Sequence, residues 1–144
     1  MSSSVPELAV EVVWFDEHML ELSLRASNPS FAGRATFYAG LDEAQQLAKQ
    51  IEGFPRAVDD TREYEFGGDT LPGYGGAKIR LSCKDGSGHL LVQVSVYATS
   101  GKPGRVAESS TVEFASVPAA IDSFVEDLQR MQVRVGDMAI LRHA

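Results

Sequence analysis

Cysteine is almost missing from this chain. Cys83 is the only one in 144 residues, so no intrachain disulfide forms. Every multi-cysteine zinc or iron–sulfur pattern is excluded with it. Histidine is scarce as well. His18, His89 and His143 have no metal-ligand spacing, and no His-Glu-x-x-His occurs. No apolar run approaches the roughly 20 residues that cross a bilayer as a helix, which points away from a membrane. The N-terminus "MSSSVPELAV" lacks a basic start and an apolar stretch, so it does not read as a secretory signal. A cytoplasmic location is the expectation.

Basic charge is the other shortage. Thirteen Lys and Arg face twenty Asp and Glu, a formal net charge of −7. That field repels a phosphate backbone and argues against nucleic acid. It suits a basic protein partner, and it also keeps a chain soluble.

What is present is strand alternation and two helical stripes. The length and the hydrophobic content of 44% fit one globular domain. Residues 1–6 read as a flexible tail and 7–144 as a single domain. In "ELAVEVVWF", Leu8, Val10, Val12 and Trp14 fall on one face at period two, because strand side chains alternate. Of the adjacent rings Trp14 and Phe15, one joins the core; the other is covered by a helix or exposed at an interface. After the turn "DEH", "MLELSLRA" puts Leu20, Leu22, Leu24 and Ala26 inward. "SNPS" turns the chain into a third strand, with Phe31, Ala35 and Phe37 inward. Gly33 within that strand marks a bulge or a close approach by other backbone.

From residue 41 the period changes. Leu41, Ala44, Leu47, Ala48 and Ile51 make a helical stripe, ended by Gly53 and Pro55. A short strand "REYEFG" follows, then "KIRLSCK" and "HLLVQVSVYA" around the turn "DGSG", then "STVEFAS". In "KIRLSCK", Ile79, Leu81 and Cys83 point inward. Pro118 opens a second helix with Val117, Ile121, Phe124, Val125, Leu128 and Met131 in its apolar stripe. "MAIL" (138–141) has the pattern of a short terminal strand. The expected fold is α+β: a largely antiparallel sheet of about seven strands with two amphipathic helices, in the order β-β-β-α-β-β-β-β-α.

The stretch "GGDTLPGYGGAK" (67–78) holds five glycines and ends on a lysine. It is no phosphate loop. Ile79 stands where Ser or Thr must follow Lys78, and a strand follows instead of a helix. It reads as a connector in which Gly75-Gly76 permits positive φ or close packing. Tyr74 at its tip is the residue that turn geometry leaves unexplained, and hence a candidate contact.

Other candidates are carboxylates. "DDTREYE" concentrates Asp59, Asp60, Glu63 and Glu65. Glu63 and Glu65 share a strand face, close enough to raise one pKa or to face a basic partner. His89 is the histidine that a ligand pocket would use. No Gly-x-Ser-x-Gly elbow, calcium loop or catalytic signature accompanies these residues, and no cofactor is called for.

"FAG" (31–33), "GFP" (53–55), "PGYGG" (72–76), the strand order and the final helix resemble a family of short bacterial proteins of unknown function, over about residues 8–132. The resemblance implies a single α+β domain and no particular catalytic residue. In size and charge the chain also resembles bacterial immunity proteins, which neutralise toxins. The expected function is a non-catalytic protein-interaction domain, an immunity- or inhibitor-type protein for a basic partner. Binding of a small molecule, or catalysis, in a pocket between sheet and helices is the alternative. A homo-oligomer whose sheet edges pair is a third reading.

Overall fold

The computed structural model describes residues 5–67, 75–98 and 108–143. Three strands come first: β1 (Glu7–Phe15), β2 (Leu20–Ser27) and β3 (Ala32–Ala39). Helix α1 (Glu43–Ile51) leads to β4 (Thr61–Gly67), β5 (Gly75–Cys83), β6 (Leu90–Ala98) and β7 (Glu108–Ser116). Helix α2 (Pro118–Arg130) and β8 (Met138–Arg142) close the chain. The fold is α+β, as the alternation and the two stripes predict.

The single sheet of about seven strands is corrected. Eight strands form two four-stranded sheets, ordered β3-β2-β1-β8 and β4-β5-β6-β7. Every pairing is antiparallel. Period-two alternation tells which residues of a strand point inward, but not which sheet the strand joins. Each helix carries the chain from one sheet to the other. The terminal strand β8 adds an edge beside β1.

The inner faces of both sheets and the apolar stripes of both helices form one core. Leu8, Leu22, Phe37, Leu47, Phe66, Ile79 and Phe124 are among its fully buried side chains. The sheets meet where β3 runs across the ends of β4–β7. Gly33 sits under the side chains of Val96 and Ser110; a Cβ there would lie 2.8 Å from Val96 Cγ2. The close approach expected at Gly33 is thus made by side chains. A Cβ on Gly75 would stand 2.6 Å from the Thr36 carbonyl oxygen and 3.0 Å from that of Tyr97. Only a residue without a side chain fits between two backbones this close.

Helix ends are satisfied from outside, since the last carbonyls of a helix have no partner within it. Arg62 Nη1 donates to the carbonyls of Gln50 (2.9 Å) and Glu52 (3.3 Å) at the end of α1. Gln45 Nε2 donates to those of Leu128 (3.2 Å) and Met131 (2.9 Å) at the end of α2.

Two inward placements are corrected. Phe31 lies in the turn before β3 and is 68% exposed. Asn28 Oδ1 accepts the Ser30 and Phe31 N–H groups there, so the turn extends one residue further than the alternation implied. Leu41 precedes α1 and is exposed, so the helical stripe begins at Ala44.

Candidate functional site

The predicted site residues fall in separate places. Tyr74 lies outside the described residues. Glu63 and Glu65 stand on the outer face of the second sheet, opposite Arg80 and Lys78. Glu63 reaches Lys78 Nζ at 3.4 Å and Arg80 Nη1 at 3.5 Å. Glu65 accepts a hydrogen bond from the Tyr97 hydroxyl at 3.5 Å. Farther across, Gln93 Nε2 donates to Glu113 Oε1 (2.9 Å), and the hydroxyls of Ser95 and Thr111 are 3.0 Å apart. The Tyr97 ring lies over Gly76, where any Cβ would collide with it. The glycine pair therefore serves close packing, and neither Gly75 nor Gly76 has positive φ. This face is a polar lattice in which Glu63 already has two cations.

Asp59 is exposed on the loop before β4. Asp60 is a structural carboxylate. Arg62 forks onto it through Nε and Nη2, each at 3.0 Å, and the Arg56 N–H donates to it at 2.9 Å. The Arg62 guanidinium, then the Arg56 amide, hold its carboxyl below the usual value. The same guanidinium lies 5.8 Å from the Phe54 ring centre. A 590 Å³ cleft beside this group is lined by both signs of charge, Lys49, Arg56, Glu52 and Asp59 among them.

His89 belongs to the β5–β6 turn. Its Nδ1 lies 2.9 Å from Asp85 Oδ2, and Asp85 Oδ1 accepts the Ser87 N–H at 2.8 Å. Cys83 is half-buried at the core margin, with Sγ 3.7 Å from the Ala57 carbonyl. The Tyr64 hydroxyl donates to Glu43 Oε1 at 2.8 Å. Burial, then Glu43, pushes that hydroxyl up, so it stays a donor at any ordinary pH.

Between the sheets and helices, where a ligand pocket is the alternative, buried apolar side chains pack into one cluster. A 470 Å³ cleft opens on the outside instead, between the Asn28–Phe31 turn, Glu113 and His143. Among the described residues, no group of three or more His, Cys, Asp or Glu is arranged to hold a metal. No described helix is long and apolar enough to cross a membrane.

The feature that sequence reading placed wrongly is at the end of β1. Val12 pairs with Leu22, but Trp14 pairs with Glu21, so Val13 is an extra residue in a β-bulge. Val12 itself is held from the other side. Its N–H donates to the Asp137 carbonyl (3.0 Å), and its carbonyl accepts the Gly136 N–H (2.9 Å). One inserted residue reverses the alternation beyond it. Trp14 therefore leaves the inner face and stands outward, 43% exposed. Phe15 returns to the inner side opposite Leu20 but overhangs the core, 42% exposed. Neither ring joins the core, which corrects the expectation for this pair.

Met19, Tyr38 and Leu41 are exposed at the same end of the sheet. The Trp14 and Tyr38 rings meet edge to face, centroids 6.0 Å apart. Trp14, Glu21 and Tyr38 occupy one cross-strand row on the outer face. The segments 11–24 and 35–48 that build this end hold six carboxylates and no Lys or Arg. Glu11 has Arg25 at 3.9 Å, and Asp16 is held by the N–H groups of His18 and Met19. These amides, His18's first, lower the Asp16 pKa. Glu21 makes no hydrogen bond or ion pair among the described residues. Arg134, on the loop tied to Val12, is engaged by Asp137 at 2.8 Å. The missing Lys and Arg were legible in the sequence; the bulge that turns Trp14 outward was not.

No family model, curated protein or solved structure matches this chain.

Proposed function

We propose that this chain is a non-catalytic protein-interaction domain, of the inhibitor or immunity type, that docks a basic surface of another protein in a bacterial cytoplasm. The observation that carries the reading is that Trp14, Phe15, Met19, Tyr38 and Leu41 are all exposed at one end of the first sheet, within segments bearing six carboxylates and no Lys or Arg. Aromatic anchors inside a polar rim are how interfaces concentrate binding energy. An acidic rim selects a cationic partner and speeds its encounter. The resemblance to short bacterial proteins and to immunity proteins is in keeping with it. Glu63 and Asp60 are paired with cations within the chain, and Glu65 stands on the other sheet, where it accepts from Tyr97.

The test is capture of a partner from the native host by immobilised wild type and by a Trp14→Ala, Phe15→Ser double variant. A basic protein retained at low ionic strength by wild type, and lost with the double variant, is the expected result. A partner held equally by both would defeat the assignment of the surface.

A further inference from the structure

We infer that the Trp14–Glu21–Tyr38 row is a receptor for one arginine guanidinium of the partner. This rests on the docking surface proposed above and names what its centre recognises. Side chains directly opposite on neighbouring strands have Cβ atoms about 4.5–5.5 Å apart. Trp14 and Tyr38 flank Glu21 at that spacing on the outer face. Their rings nonetheless meet at 6.0 Å with planes 86° apart, so they lean toward one another across the Glu21 position. The edge of one ring is set against the face of the other, and both rings stay partly exposed beside a single carboxylate.

A guanidinium fits this set of groups better than an ammonium does. It is flat, so it stacks on an aromatic face while its N–H fork pairs with a carboxylate. An ammonium is a compact, strongly hydrated charge that gains less from the ring. Glu21 is the carboxylate of the row and has no partner among the described residues. The contrast with Glu63 is direct, because Glu63 already holds Lys78 and Arg80. A partner's arginine would complete at Glu21 what β5 completes at Glu63. The bulge at Val13 creates the row, since regular pairing would send Trp14 inward.

Trp14 is the only tryptophan, so its fluorescence reports on the row without a label. The probes are end-blocked Gly-Arg-Gly and its lysine and citrulline counterparts, titrated against the full chain. The arginine peptide should change Trp14 emission saturably, and citrulline, which keeps the shape without the charge, should not. The lysine peptide should bind several-fold more weakly, and Glu21→Gln should weaken arginine binding about tenfold, the loss of one charge-assisted pair. Tyr38→Phe keeps the ring and should retain most of the binding, and circular dichroism shows whether each variant keeps its fold. Equal binding of arginine and citrulline, or no effect of Glu21→Gln, overturns the receptor. No response to the arginine peptide, with the host partner still captured through Phe15, also overturns it but leaves the docking surface standing. Arginine binding that needs Glu21, without any captured partner, supports the receptor and removes the docking reading.

Discussion

The two sheets have the same number of strands and the same antiparallel pairing, yet they finish their outer faces in opposite ways. On the second sheet the charged and amide side chains at its centre meet one another. Glu63 lies beside Lys78 and Arg80, Gln93 donates to Glu113, and Tyr97 closes over Gly76. On the first sheet the end near Arg25 is finished this way, with Glu7 at 3.7 Å and Glu11 at 3.9 Å. Past the bulge, the same face presents Trp14 and Tyr38 beside an unpaired Glu21. Regular pairing brings opposite charges into register and lets them cancel. The bulge breaks that register, and the uncompensated chemistry collects there. A net charge of −7 thus says less about partners than the place where it is left unbalanced.

If the second sheet is held by packing more than by charge, a packing change should break it most. Gly75→Ala places a methyl against the Thr36 and Tyr97 carbonyl oxygens, which are backbone and cannot swing away. It should cost about 1–3 kcal/mol, as overpacked sites do. Gly86→Ala meets nothing within 4 Å and should stay within about 0.5 kcal/mol. Urea midpoints of the two variants measure the difference. Equal midpoints would mean that the seam between the sheets is looser than these distances state.

The open end of the first sheet should answer in the other currency. Trp14→Ala removes a half-exposed ring whose aromatic contact is Tyr38. Its stability cost should stay under about 1 kcal/mol, because little area leaves the core. Affinity for the partner should fall at least tenfold, about 1.4 kcal/mol or more, as for an interface anchor. A large loss of stability with unchanged affinity would reverse the roles of the two faces.

These contrasts show how far the sequence could be read. Leu8, Val10, Leu22, Leu24, Ile79, Leu81, Val92 and Val94 were placed inward by alternation and are buried. Ala44, Leu47, Ala48 and Ile51 were placed by helical spacing and are buried too. The division into two sheets was not legible, because pairing partners lie far apart in sequence and alternation is the same in either sheet. Trp14 was misplaced for a local reason. A bulge needs one residue too many relative to the partner strand, and one strand alone does not show that. Density along the chain points to the acidic candidates but does not show the cross-strand cations of Glu63. Glu63 next to Lys78 and Arg80 is visible only in the register.

Acid should separate a carboxylate that is part of the fold from one that is not. Asp60 is held down by Arg62 and then the Arg56 amide, so its folded value lies below its unfolded one. Its contribution is therefore complete above the unfolded value of about 3.9 and is lost as pH falls below it. Asp60→Asn should lower stability by something on the order of 1 kcal/mol at neutral pH, the scale of a charge-assisted hydrogen bond. Wild type and variant should converge as pH drops through the carboxylate range. A gap that stays constant down to acid pH would mean that the charge of Asp60 is not what holds the loop to α1.

The smallest effect is expected at Glu63, and it tests the comparison most directly. Its bonds to Lys78 and Arg80 are long, 3.4 and 3.5 Å, and all three side chains are about half exposed. Water screens such pairs, and holding long side chains together costs entropy, so exposed pairs contribute about 0.2–1 kcal/mol. Glu63→Gln should fall within that range, and the difference should shrink further as salt is added. Partner capture should be unchanged, because this carboxylate is already spoken for within the sheet. Glu63 and Glu21 carry the same charge on the outer faces of the two sheets, and only their surroundings differ. If Glu63→Gln weakened capture as much as Glu21→Gln, compensation within a sheet would not decide which carboxylate a partner meets, and the second sheet's outer face would have to be counted as part of the interface.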